Sequence, residues 1–225
     1  MTQSLTIDVY FDFICPWCLI GKKYLDKALE QLTRENPQLD VDIRWHGVQL
    51  LTELPLAGVP FREFYLQRLG GVSAVELRQR QVRQAAAAAG TSIDFSTIKK
   101  IPNTKLAHRL FRQVGNLGDA ARQTVLLERM FAAYFHLGED LSDPSTLLMI
   151  SEECGYTHSE IDVDAHLDGH MVIQAADRPL ATSVPYFVIK GQHAISGAQS
   201  ADVLADACRY VLYSSSPSCV NLPIS

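Results

Sequence analysis

Apolar and polar side chains alternate along residues 5–10, LTIDVY, and this period of two predicts a half-buried strand. From residue 17 to 32 the period lengthens. Ile20, Tyr24, Leu25, Ala28, Leu29 and Leu32 recur at three- and four-residue spacing, the pattern of an amphipathic helix that Asn36-Pro37 then stops. VDIRWH, residues 41–46, alternates again as a second strand. The opening is β-α-β, so the two strands should be parallel with a right-handed crossover.

Between about Pro60 and Asp177 nearly every window has helical spacing. The predicted helices are 61–69, 72–89, 104–116, 119–137, 144–154 and 159–175, separated by glycine-rich or proline-containing breaks. Ser142 or Asp143 can cap one of them, with Pro144 at its first position. Strand pattern returns at 184–190, VPYFVIK. Gly191-Gln192 supplies a tight turn, and HAIS at 193–196 pairs back as a hairpin. A last helix runs from about Ala201 to Tyr213, before a polar, proline-punctuated tail.

Joined, the two ends of the chain make an α/β unit: β-α-β followed by β-β-α, a mixed four-stranded sheet with helices on both faces. The helical middle is then a large all-helical insertion. This divides the chain into residues 1–55 plus 180–213, an inserted helical domain at 56–179, and a C-terminal tail at 214–225.

Composition narrows the function. The 225 residues are 47% hydrophobic and 20% charged, enough apolar material for a sizeable core. A net charge of -5 argues against a nucleic-acid partner, since such partners select a basic face. No run approaches the roughly 18–20 apolar residues that cross a bilayer, so no membrane partner is expected. The first residues enter a strand with neither a basic start nor an apolar leader, which points to the cytoplasm. The 5 cysteines are too few, and odd in number, for a secreted disulfide framework.

Two of those cysteines carry the chemistry. FDFICPWCLIG, residues 11–21, places Cys15 and Cys18 three apart, directly after the first strand. Only a thiolate attacks a disulfide, and an ordinary thiol is only about 3% ionised at pH 7. Pro16 suits the first helical position, which puts Cys15 at the helix N-cap, facing free N–H groups. The helix dipole contributes roughly 0.3–1 kcal/mol, or about 2 when partly buried. At about 1.4 kcal/mol per pKa unit, that favours the Cys15 thiolate by about one unit. Any larger drop would need direct N–H···S bonds, including one from the Cys18 amide. Cys18, one turn on, shares a helix face with Cys15 at a distance compatible with a disulfide, and is expected to keep the higher pKa. Cys15 is thus the expected nucleophile and Cys18 the resolving thiol, with Pro16 and Trp17 tuning access and potential. The competing reading is a zinc site completed by Cys154 and His158. It is disfavoured because zinc CxxC pairs sit on knuckle turns rather than opening a long helix.

FDFICPWCLIG, with TSVPYFVI at 182–189 and ISGAQ at 195–199, resembles the DsbA-like thioredoxin-fold disulfide oxidoreductases, and most closely their FrnE-type branch. NTKLAHRLF at 103–111 and FAAYFHLGEDLSD at 131–143 resemble that branch's helical insertion. The resemblance implies a thioredoxin-like fold, a cis Val184–Pro185 peptide beside the cysteines, and thiol–disulfide exchange without metal or bound cofactor. It implies a thiol- or disulfide-bearing substrate, with Val184 and Pro185 on the substrate side and glutathione as a candidate redox partner. His108 falls inside the NTKLAHRLF match. A hydrogen-bonded packing role is favoured for it, and a substrate-lining role in the cleft is the alternative. Two rival functions share the scaffold: a glutathione-dependent isomerase or transferase of the hydroxychromene carboxylate isomerase or kappa class, and a non-catalytic peptide binder or holdase. The pattern leaves monomer and homodimer open.

Overall fold

The structure, a computed structural model, describes residues 3–161 and 183–214. The first strand, β1, spans Ser4–Phe11. Its alternation buries Leu5, Ile7, Val9 and Phe11 on one face. The helix α1 (Pro16–Glu35) and the strand β2 (Asp40–Gly47) follow, and β2 lies parallel to β1 from Ser4↔Asp40 to Phe11↔Gly47. Late in the chain come β5 (Tyr186–Ile189), β6 (His193–Ser196) and α7 (Ala201–Ser214). β5 pairs antiparallel with both β1 and β6, giving the order β2-β1-β5-β6. The expected mixed four-stranded sheet is present. The hairpin turn places Lys190 and Gly191 at positive φ, which explains a glycine there.

Among the described residues α1 and α7 lie on the same face of the sheet. Leu25, Ala28 and Leu32 of α1 share one buried cluster with Leu204, Cys208 and Val211 of α7 and with Leu5, Ile7 and Val9. The other face of β1 carries Asp8 and Tyr10, half-exposed, where Tyr10 stacks on His46 and His46 bonds Asp8 at 2.7 Å.

Between β2 and β5 the chain forms β3 (Val59–Pro60), α2 (Phe61–Leu69), α3 (Val72–Ala89), β4 (Lys100–Ile101), α4 (Lys105–Asn116), α5 (Ala120–Ala132) and α6 (Pro144–Glu153). Asp143 caps α6, its carboxylate accepting from the Ser145 and Thr146 amides, with Pro144 following as the sequence predicts. The helix expected over 119–137 instead ends as α-helix at Ala132 and continues as a π-helical turn, Ala133–Leu137. β3 and β4 pair antiparallel and were not anticipated. Two-residue strands carry no period to read. The helix expected over 159–175 lies outside the described residues from 162 onward, as does the tail from 215, with Cys219.

These helices pack over the end of the sheet where β1 stops. Phe11 and Phe13 meet Phe111 of α4 and Phe131 of α5 with ring centroids 5.5–6.0 Å apart, edge-on or tilted. The same buried cluster takes in Cys15, Cys18, Val82, Ile101 and Val184. Lys22 of α1, 2% exposed, reaches Asp26 at 2.9 Å and Glu128 of α5 at 2.6 Å, tying α1 to the helical layer. Among the described residues, no helix is long and apolar enough to cross a membrane.

Candidate active site

The site forms where β1 hands over to α1. Phe11 is the last paired residue, and its carbonyl accepts the Val48 amide at 2.7 Å. The chain then turns at Asp12, whose carbonyl accepts the Cys15 amide at 3.1 Å. The Asp12 side chain is fully buried, and a buried carboxyl group needs partners. It has three. The Leu50 amide donates at 2.8 Å, the Ile14 amide at 3.5 Å, and His108 Nε2 lies 3.1 Å away. One side chain thus joins the turn bearing Cys15, the loop after β2, and α4.

Cys15 then occupies the N-cap in extended conformation, φ -87° and ψ 111°, with Pro16 opening the helix. The sequence places it there. The sulfur, however, makes no side-chain capping bond. The Cys18 amide, the expected donor, is already bonded to the Cys15 carbonyl at 2.9 Å. The Cys15 thiol instead donates to the Val184 carbonyl at 3.7 Å. The expected N–H···S bond from Cys18 is therefore absent in this thiol form, because backbone closure of the first turn takes that donor.

Cys15 is 7% exposed and Cys18 2% exposed, and both are free thiols, neighbours across the first turn of α1. Burial pushes the Cys18 thiol well above its ordinary range, and the neighbouring Cys15 adds to the rise through its hydrogen bond and its charge. The Asp12 backbone hydrogen bond opposes it.

Val184–Pro185 is a cis peptide, and it lies directly against α1. A Cβ on Gly21 would come within 2.8 Å of Pro185 Cγ, so only a glycine lets the helix approach this closely. The sequence-predicted residues Cys15, Pro16, Cys18, Val184 and Pro185 thus converge. Trp17 is half-buried on the far side of the helix start, with the Arg78 guanidinium 5.5 Å above its ring. It forms part of a cleft of about 350 Å³ that Cys15 and Pro16 also line.

His108 does not line that cleft. It is 4% exposed, tilted against Phe13 at 5.0 Å and bonded to Asp12, so of the two expectations the structure supports packing. Asp12 itself was not anticipated. A charged residue between two phenylalanines inside an apolar run was the available signal. Among the described residues, no group of three or more His, Cys, Asp or Glu is placed to hold a metal ion.

A β-α-β unit and a β-β-α unit around one mixed sheet, with a CxxC at the first helix and a cis-proline beside it, define a thioredoxin-like protein. The model of the DSBA-like thioredoxin domain matches residues 6–209, and the chain belongs to that family. The uncharacterized protein YwbO of Bacillus subtilis (strain 168) is 24% identical over 211 residues, covering 91% of this chain and 96% of YwbO. A crystal structure described as a "probable DsbA oxidoreductase", from Streptomyces coelicolor, superposes with a TM-score of 0.77 at 22% identity. It covers 98% of this chain and 93% of its own. The cytosolic disulfide reductase DsbM of Pseudomonas aeruginosa superposes with a TM-score of 0.58 at 17% identity, covering 93% and 98% of the two chains. DsbM has also been solved with glutathione.

Proposed function

We propose that this protein is a thiol–disulfide oxidoreductase of the FrnE type that works through Cys15 and Cys18. The observation that carries the reading is the pair of free thiols one turn apart at the start of α1, one opening on a cleft and the other sealed beneath it. Cys15, as thiolate, attacks one sulfur of a substrate disulfide. One thiolate leaves, and a Cys15–substrate mixed disulfide forms. Cys18 then loses its proton and attacks the Cys15 sulfur, expelling the second substrate thiolate. The substrate disulfide gains two electrons and the cysteine pair loses two. Run backwards, the same steps oxidise a dithiol.

The buried Cys18 suits the second role, because a protonated thiol does not compete for incoming disulfides while the mixed disulfide waits. Val184 supplies a carbonyl at the reacting sulfur, and Pro185 holds it against α1. Asp12 and His108 position the turn that carries Cys15. Residues 1–55 and 180–213 carry the exchange chemistry, while the helical segment 56–179 supplies the outer wall of the cleft. Glutathione is the proposed redox partner and the cytoplasm the proposed location, in keeping with DsbM.

Trapping tests the reading. A Cys18→Ser protein given a small disulfide should accumulate a stable adduct on Cys15, visible by intact mass and reversed by dithiothreitol. Cys15→Ser should accumulate none. Equal adducts on both variants would refute the assignment of roles.

A further inference from the structure

The cleft beside Cys15 has a chemical bias of its own. One wall is aromatic and aliphatic, with Phe61, Phe64 and Tyr65 on α2, Val82 on α3, and Phe95. Its polar side is positive. Arg68 lies 5.7 Å from the Phe64 ring centroid, and Arg78 lies 5.5 Å from that of Trp17. Arg68, Arg78, Cys15 and Tyr65 all line this one cleft. Neither arginine forms an ion pair with any described residue, and no Asp or Glu is among the described residues lining the cleft. Glu63 and Glu76, on the same two helices, lie outside the lining. Among the described residues, then, this is a cationic pocket without a facing carboxylate, on a chain whose net charge is -5.

We infer that this cleft selects small organic disulfides or thiols that carry a carboxylate or similar anion on a flat, apolar body. The inference rests on the exchange reading above and adds the substrate's chemical class to it. A volume of about 350 Å³ suits a single ring with its substituents. The aromatic wall takes the ring, and Arg68 and Arg78 take the anion through charge-assisted hydrogen bonds. Held there, the sulfur of the ligand faces Cys15. The reaction is R–S–S–R plus the Cys15–Cys18 dithiol giving two R–SH plus the Cys15–Cys18 disulfide. A small dithiol or glutathione returns the pair to the reduced form.

The test is single-turnover kinetics of the reduced protein with two near-isosteric aromatic disulfides. 6,6′-Dithiodinicotinate carries two carboxylates, and 2,2′-dithiodipyridine carries none. The readout is their rate ratio, divided by the same ratio for 2-mercaptoethanol, so that intrinsic disulfide reactivity cancels. The wild-type protein should favour the dianion by about 3- to 10-fold, the size expected of two exposed ion pairs. An Arg68→Gln/Arg78→Gln protein should lose that preference, while Arg62→Gln, an exposed charge on α2 outside the lining, should keep it. The aliphatic pair dithiodiglycolate and 2-hydroxyethyl disulfide should show a smaller preference, because no ring fills the wall. No anion preference in the wild type, an equal loss in Arg62→Gln, or faster reaction with a neutral disulfide-linked peptide would overturn the inference and leave the exchange reading standing. Thiol release by Cys15→Ser equal to that of the wild type would instead overturn the exchange reading, and this inference with it.

Discussion

Gly47 ends β2 opposite Phe11, and its missing side chain makes room for His108. A Cβ built on Gly47 would lie 2.3 Å from His108 Nδ1, 2.9 Å from Cγ and 3.1 Å from Cε1. Ordinary contact begins near 3.4 Å, so Gly47→Ala must displace the ring by about 1 Å. The ring has nowhere easy to go. Phe13 lies 5.0 Å from its centroid, Phe11 5.7 Å, and Asp12 holds its Nε2 at 3.1 Å. Overpacking of this kind costs about 1–3 kcal/mol. If the ring leaves Asp12, the buried Oδ1 keeps only the long Ile14 amide bond at 3.5 Å, which adds about 1–3 kcal/mol. The expected total is about 1–3 kcal/mol if the ring keeps its bond to Asp12 and about 2–6 kcal/mol if it loses it. Urea unfolding of the wild type, Gly47→Ala, His108→Ala and the double variant measures it, with m-values checked for constancy. If the clash is the cause, Gly47→Ala should cost less than about 1 kcal/mol once the ring is gone. The same cost in both backgrounds, or a cost below about 0.5 kcal/mol in the wild type, would refute the reasoning.

Three further outcomes follow from buried groups. With its pKa raised, Cys18 is protonated at neutral pH, so collapse of a preformed Cys15 mixed disulfide should speed up about tenfold per pH unit from pH 7 to 9; a flat stopped-flow profile would contradict this. Burial lifts Cys208 from 9.0 to about 12, so the native state keeps a proton that the unfolded chain releases. Its stabilisation is complete below about pH 9 and should fade toward pH 12 by at most about 1.4 kcal/mol per unit, and Cys208→Ala should flatten the alkaline slope of urea stability. Lys22 is buried while its partners Asp26 and Glu128 are half-exposed. Removing both carboxylates should therefore cost about 3 kcal/mol by stranding the ammonium, whereas Lys22→Met should cost less than about 1 kcal/mol in thermal or urea unfolding.

The sheet was legible because its strands repeat a local signal. LTIDVY alternates, and its apolar positions are the ones that face α1 and α7. Asp143-Pro144 likewise announces the start of α6 from two adjacent residues. The positions of Cys15 and Cys18 were legible for a similar reason: proline at the first helical position fixes which residue is the cap. Other features depend on distant parts of the chain. Asp12 reads as a misplaced surface charge until the Leu50 amide, 38 residues on, and His108, 96 residues on, are brought to it. The cleft wall draws on Phe61 and Val82, whose helical spacing shows only that they are apolar, and on Phe95 in the loop after α3. Arg68 and Arg78 look like any exposed cations on amphipathic helices until folding sets them beside Cys15. The π-helical turn at Ala133–Leu137 leaves no trace in the spacing that predicts the helix before it.

Everything functional in this account requires Cys15 and Cys18 to exchange two electrons as a unit. Equilibrating the protein across a series of reduced and oxidised glutathione ratios, quenching with acid and alkylating reagent, and weighing the peptide that holds both cysteines tests this directly. That one peptide should lose two hydrogens reversibly, following a two-electron Nernst curve with a single midpoint. A peptide that stays fully alkylated at both positions at every ratio, or that only ever carries glutathione without closing the pair, would contradict it.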